Sequence, residues 1–143
     1  VMELWEPFAV KFQADKLTVF STKYWTVLVR ASQITLGTLV LAANRNFISA
    51  AELTPEELNE FPLVVGRLEA ALGNAFKYDK INYLCLMMAD RHYHFHVIPR
   101  YEEPRQFLGV EWVDASQGPP SLAVPPTNES TLIALRDHLR LNL

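Results

Sequence analysis

His92-Tyr93-His94-Phe95-His96-Val97-Ile98-Pro99-Arg100 alternates imidazole with apolar side chains before it closes on a proline and an arginine. Successive side chains of a β-strand point to opposite faces, so this alternation has the period of a strand. The spacing predicts a strand over 92–101 with three imidazoles in line on one face, across roughly 13 Å. Tyr93, Phe95 and Val97 then fall on the other face and belong to the core. Histidine is neither a favoured β former nor a preferred surface residue. Three in phase therefore point to chemistry rather than to decoration of a half-exposed strand.

Working outward, Lys80 to Met88 reads as a preceding strand, and Ala89-Asp90-Arg91 is a connection short enough for an antiparallel pair. Before it, Leu53-Thr54-Pro55-Glu56-Glu57-Leu58 carries a helix start. Thr54 caps, Pro55 occupies the first helical position, and Glu57 completes a capping box. Leu58, Phe61, Val65, Leu68, Leu72 and Phe76 follow at spacings of three and four, predicting one buried stripe to about Tyr78. Pro62 in the second turn predicts a kink.

Two earlier segments, Leu17 to Phe20 and Tyr24 to Arg30, are β-branched and aromatic around a Ser21-Thr22-Lys23 turn. After a polar connection, Gly37 precedes Thr38 to Ala42, an apolar run suited to a strand covered on both faces. Downstream, Asp114 to Asn128 holds four of the nine prolines and reads as an extended surface loop. A last helix carries Leu132, Leu135 and Leu139 on one face. The predicted class is α+β: an antiparallel sheet with one long helix and a shorter C-terminal helix. Residues 1–143 read as a single domain, with 113–128 a proline-rich loop and 129–141 the terminal helix.

Of the 143 residues, half are hydrophobic and 20% are charged, which supports a sizeable core and excludes disorder. The net charge of −3 argues against duplex nucleic acid as a partner. No apolar run approaches the ~18 residues of a membrane span. The first residues lack the basic-then-apolar pattern of a signal peptide. A single cysteine, Cys85, points to a reducing, cytoplasmic setting and reads as a buried structural thiol. His138 reads as a surface residue. Trp5, Trp25 and Trp112 read as core or dimer-contact residues, or as one stacking platform for a base.

Two chemical readings of the three histidines stand side by side. Alternate histidines can hold zinc through two nitrogens, with a third ligand from Asp90 or Glu102. No Cys cluster or H-E-x-x-H helix supports that arrangement. Alternatively, a neutral imidazole attacks phosphorus while its neighbours hydrogen-bond phosphoryl oxygens and assist the leaving group. Crowding three imidazoles disfavours charging all of them, which helps keep the nucleophile neutral.

The stretch 92–98 resembles the His-φ-His-φ-His-φ-φ signature of the histidine triad (HIT) superfamily, where φ is hydrophobic. Gly37-Thr38-Leu39-Val40-Leu41 is similar to its Gly-His-x-Leu-Val strand, and 53–58 to the start of its long helix. The resemblance spans about residues 17–101 and is nearest to diadenosine tetraphosphate hydrolase-like proteins. It implies a homodimer that binds a nucleotide or nucleotide conjugate. It also implies hydrolysis or nucleotidyl transfer at the α-phosphorus of a dinucleoside polyphosphate or adenylyl conjugate, by cleavage of a phosphoric anhydride or phosphoramidate.

By position, His94 would attack phosphorus, His96 would contact phosphoryl oxygens and the leaving group, and His92 would orient the pair. Asn82 resembles a polar residue near the ribose and phosphates, about one residue out of register. The triad requires no cofactor or metal, although magnesium would accompany a polyphosphate. Met88 and Ala89 stand where many members carry Gln and then Ser or Thr, and Thr38 replaces a histidine. Arg30 stands where relatives place an asparagine near the ribose. Arg30 and Arg100 are candidates for phosphate contact or, equally, solvated charges at strand ends. The alternative function is a nucleotide-binding sensor that kept the triad without efficient turnover.

Overall fold

The imidazole-bearing stretch forms the inner neighbour of an edge strand in a five-stranded, fully antiparallel sheet. The computed structural model describes residues 3–143; the first two residues, part of the start read for a signal peptide, lie outside them. Two short helices, α1 (Glu6–Lys11) and α2 (Ala14–Leu17), lead into β1 (Thr18–Ser21), β2 (Trp25–Val29) and β3 (Leu39–Ala43). A 3₁₀ turn at Ala50–Glu52 precedes α3 (Pro55–Phe76), which is followed by β4 (Lys80–Leu84) and β5 (His94–Arg100). A small hairpin, β6 (Arg105–Phe107) and β7 (Val110–Trp112), and α4 (Glu129–Leu141) complete the chain. The strand order is β1-β2-β3-β5-β4. The architecture is α+β, as the sequence predicts.

Directly opposed residues share a face, so the register divides the sheet into two surfaces. Leu28 opposes Val40, Val40 opposes His96, and Ala42 opposes His94. This face packs beneath the N-terminal segment, where Phe8, Leu28, Val40 and Ala42 form a small core joined by Leu4, Phe12 and Ala14. The opposite face carries Val27, Leu39, Leu41 and Val97 into the main core with Leu68 and Leu72 of α3 and Leu135 and Leu139 of α4. Continuous apolar β2 and β3 are thus explained: all ten of their residues are buried because both faces are covered.

The capping box of α3 is present: Thr54 Oγ1 accepts from the Glu57 amide at 3.2 Å, and Glu57 Oε1 accepts from the Thr54 amide at 2.9 Å. The helix runs unbroken through Pro62 for 22 residues. The buried stripe differs at its start, where Leu58 is 53% exposed and Val64 joins Leu68, Leu72 and Phe76. The inward position in the first turn is taken by Glu57, whose carboxylate also receives Arg45 at 2.9 Å. Turning Glu57 inward rotates Leu58 out toward solvent. Gly37 adopts φ +87°, and a Cβ there would stand 2.9 Å from Leu72 Cδ2. Its glycine therefore permits both the turn into β3 and the close approach of α3.

The hairpin before the histidines is longer than expected. β4 ends at Leu84 rather than Met88, and β5 starts at His94 rather than His92. Met87 takes a left-handed backbone (φ 54°), which ends the extended run despite its apolar residues. Residues 85–93 form an irregular connection, tied down by the Tyr93 amide to Phe47 O at 2.8 Å and the Ala43 amide to Tyr93 O at 3.1 Å. Cys85 consequently lies exposed, not buried in a strand. His138 is half-buried between Phe76 and Phe107, with ring centroids 5.5 and 5.6 Å away.

Candidate active site

His92 and His94 remain on one side although only His94 lies within the strand, because the Phe8 ring covers both, at 4.6 and 5.2 Å between centroids. Trp5 stacks parallel on His92 at 5.7 Å, and Phe12 lies 5.9 Å from His94. Beneath these rings His92 is 2% exposed and His94 3%. His96 is half-buried and meets His94 edge-on at 5.1 Å.

Hydrogen bonds fix the proton positions. His94 Nδ1 lies 2.5 Å from the His92 carbonyl oxygen, which can only accept. Nδ1 therefore carries the hydrogen, and Nε2 of the neutral ring keeps its lone pair. His92 Nε2–H donates to Ala43 O at 2.5 Å, and the Asn46 amide donates to His92 Nδ1 at 3.1 Å. Both nitrogens of His92 are engaged, and its main-chain carbonyl does the orienting of His94. His96 Nδ1 is buried without a hydrogen-bond partner.

Burial lowers the pKa of all three imidazoles. His96 falls to about 4, with the charges of His94 and Arg30 adding to desolvation. Arg30 also disfavours protonation of His94, whereas its bond to the His92 carbonyl and the Asp90 charge oppose the effect. The triad is consequently neutral at pH 7. An unfolded histidine takes up its proton near 6.5, well before His96 does in the fold. Stability is therefore complete above that value and declines as pH falls toward about 4. Urea midpoints at about pH 7.5, 6 and 5 should fall in that order, with His96→Gln flattening the slope. Equal slopes in the two proteins would show that His96 is not held neutral by the fold.

The other predicted residues are distributed differently. Arg30 donates to Ser32 O at 2.6 Å and Leu122 O at 3.3 Å, bonds that engage two of its five guanidinium N–H groups. Arg100 and Asn82 are instead tied to each other at 3.0 Å. Arg100 Nε and Nη2 also bind the Asp114 carboxylate at 2.8 and 3.2 Å, while Ser116 O and Gly118 O accept at 2.5 and 2.8 Å. Five N–H groups meet five acceptors, so Arg100 is neither a solvated charge nor a donor with capacity for phosphate. It fastens the proline-rich loop to the sheet. Met88 and Ala89 are exposed on the 85–93 connection and bring no polar group to the histidines.

Sequence reading misses Asn46, Asp114 and the aromatic cover. Trp5, Phe8 and Phe12 do stand at helical spacings of three and four, the available signal for an aromatic face across α1 and its two caps. The zinc reading lacks a donor set: among the described residues no group of three or more His, Cys, Asp or Glu is arranged to hold a metal ion. His92 also has both nitrogens committed, and Asp90 pairs with Lys11. Nor is any helix among the described residues long and apolar enough to cross a membrane.

The HIT domain family profile matches residues 11–103, from the end of α1 through the triad strand. No curated protein matches by sequence. Among solved structures, a histidine triad protein from Sinorhizobium meliloti is 20% identical, with 94% of each chain covered and a TM-score of 0.73. One from Bradyrhizobium japonicum is 18% identical, with 99% of this chain and 97% of that chain covered, at a TM-score of 0.72. A diadenosine triphosphate hydrolase from Plasmodium falciparum is 14% identical, with 88% and 75% covered and a TM-score of 0.65. These likenesses establish the fold, and the profile spans all five strands of the main sheet, α3 and all three histidines. The chain belongs to the histidine triad (HIT) family.

Proposed function

We propose that this protein is a nucleotide hydrolase or nucleotidyl transferase that acts at an α-phosphorus through a covalent nucleotidyl-His94 intermediate. The observation that carries the reading is the 2.5 Å bond from His94 Nδ1 to the His92 carbonyl. It directs the lone pair to Nε2, while burial keeps the ring uncharged. Nε2 forms the N–P bond as the P–O bond to the leaving group breaks. A phosphate leaving group departs as an anion, so a neutral His96 suffices as hydrogen-bond donor to the phosphoryl and leaving oxygens. Water then attacks phosphorus, the N–P bond breaks, and the nucleoside monophosphate is released. Arg30, whose charge reaches both His94 and His96, supplies positive potential for the phosphates.

Dinucleoside polyphosphates and adenylyl conjugates are the proposed substrates, with magnesium accompanying a polyphosphate chain rather than residing on the triad. The free edge of β4, together with exposed Leu86 and Met88, supports a proposed homodimer, which light scattering checks. A sensor reading has its own support: His94 lies closed beneath Phe8 and Phe12, and Met88 and Ala89 supply no phosphate contacts.

A brief incubation with diadenosine tetraphosphate, with and without chelator, separates the two readings. Quenched protein should carry an added AMP in the intact mass and release AMP on continued incubation. Binding of nucleotide without adduct or product would select the sensor reading.

A further inference from the structure

A cavity of about 340 Å³ opens at the His92 end of the triad. Its walls include Trp5, Phe8, Lys11, Asn46, Arg91 and His92. The Trp5 indole lies parallel to the His92 ring, and the residue is 42% exposed where it lines the cavity. Its main chain is fixed by the Trp5 amide to Asn44 O at 2.9 Å, so the indole stands on an anchored backbone. Lys11 and Arg91 contribute two positive charges and Asp90, paired with Lys11, one negative. The rim is therefore net positive beside a flat aromatic surface, the combination that binds a base and its phosphates.

From these features we infer a second nucleoside subsite, which holds the leaving half of a dinucleoside polyphosphate with its base against Trp5. The inference rests on the proposed reaction at His94 and gives that reaction a direction. His92 and His94 lie side by side beneath the Phe8 ring, at 4.6 and 5.2 Å between centroids, and Phe8 and His92 both line the cavity. A polyphosphate whose α-phosphorus sits at His94 would pass Phe8, the ring that covers His94 and His92 and lines the cavity, to lie between Lys11 and Arg91. The opposite end of the row belongs to Arg30, whose amide pairs with Thr38 O at 3.0 Å, beyond the Val40–His96 pair. The transferred nucleotide lies toward Arg30, and the departing nucleoside polyphosphate leaves by the Trp5 cavity once its P–O bond has broken. Specificity for a second nucleoside thus resides in α1 and the 85–93 connection, outside the triad strand.

The test compares diadenosine tetraphosphate with adenosine 5′-phosphoramidate, whose leaving group has no base. Trp5→Ala should lower the ratio of kcat/KM for the first substrate over the second by about tenfold, the lower end of what a base loses with its aromatic platform. Trp5→Phe, which keeps a flat ring, should restore most of that ratio. Equal losses on both substrates, or none, would overturn the subsite and leave Trp5 as a cover for His92. A second measurement is independent of turnover. In the His94→Ala background, Trp5→Ala should weaken binding of diadenosine tetraphosphate about tenfold more than binding of AMP. Should neither substrate turn over in the unaltered protein, the proposed reaction fails, and this binding comparison alone decides the subsite. Parallel changes for the two ligands would reject it.

Discussion

Replacing His94 by alanine should lower the rate of AMP release by about 10⁴-fold or more and remove the covalent mass adduct. The size of the effect follows from the hydrogen-bond pattern. No other ring offers the same nitrogen: His92 has both of its nitrogens engaged, and His96 has an unpartnered Nδ1 and a ring set edge-on to His94. His94→Asn is the sharper variant. Its amide can still donate to the His92 carbonyl, but it has no basic nitrogen to attack phosphorus. Both variants should fold, because each removes a desolvated polar ring rather than part of the main core around α3. Rapid-quench kinetics with intact mass would read the chemistry, and thermal melts the fold. Turnover within tenfold of the unaltered protein in folded His94→Asn would eliminate the nucleophile assignment.

The parts of this site that were legible in sequence are those whose causes are local. Alternation from His92 to Val97 fixes the face of each side chain, and Thr54, Pro55 and Glu57 satisfy the first amides of α3 within one turn. The site's enclosure is not local in that way. α1 has six residues, too few for a strong period, and a left-handed residue at Gln13 separates it from α2. Its Trp5–Phe8–Phe12 stripe gains meaning only against His92 and His94, more than eighty residues away. The 85–93 connection misleads for the opposite reason. Leu86-Met87-Met88 has the composition of a strand, but Met87 adopts a turn conformation and Leu86 and Met88 face solvent. Arg100 shows a third limit. Its charge was visible, whereas its five acceptors come from β4 and from a proline-rich segment with no periodicity to place them.

That arginine carries the largest stability effect expected outside the main core. The Arg100 and Asp114 side chains are only 12% and 6% exposed, so removal of either leaves the other charge desolvated. Breaking a buried pair from one side typically costs about 3–5 kcal/mol, whereas replacing both partners by apolar groups is often close to neutral. Arg100→Ala should therefore lower the melting temperature by roughly 10 °C. It also orphans the carbonyls of Ser116 and Gly118 and the Asn82 side chain. Asp114→Ala should cost a similar amount, since its carboxylate additionally accepts the Tyr101 amide at 3.1 Å. The double variant Arg100→Met/Asp114→Leu should recover a substantial part of either loss, which a purely steric role for Arg100 would not produce. The consequence extends to the histidines. The loop fastened at residues 114–118 continues to Leu122, whose carbonyl holds Arg30, and to Thr127, whose amide is bound by Ala31 O at 2.9 Å. Freeing its proximal end loosens one of the two carbonyls that orient Arg30, so KM should rise in Arg100→Ala while kcat, set at His94, changes less. A melting loss below about 2 °C would mean that the contacts at Leu122 and Thr127 hold the loop without the Arg100–Asp114 pair.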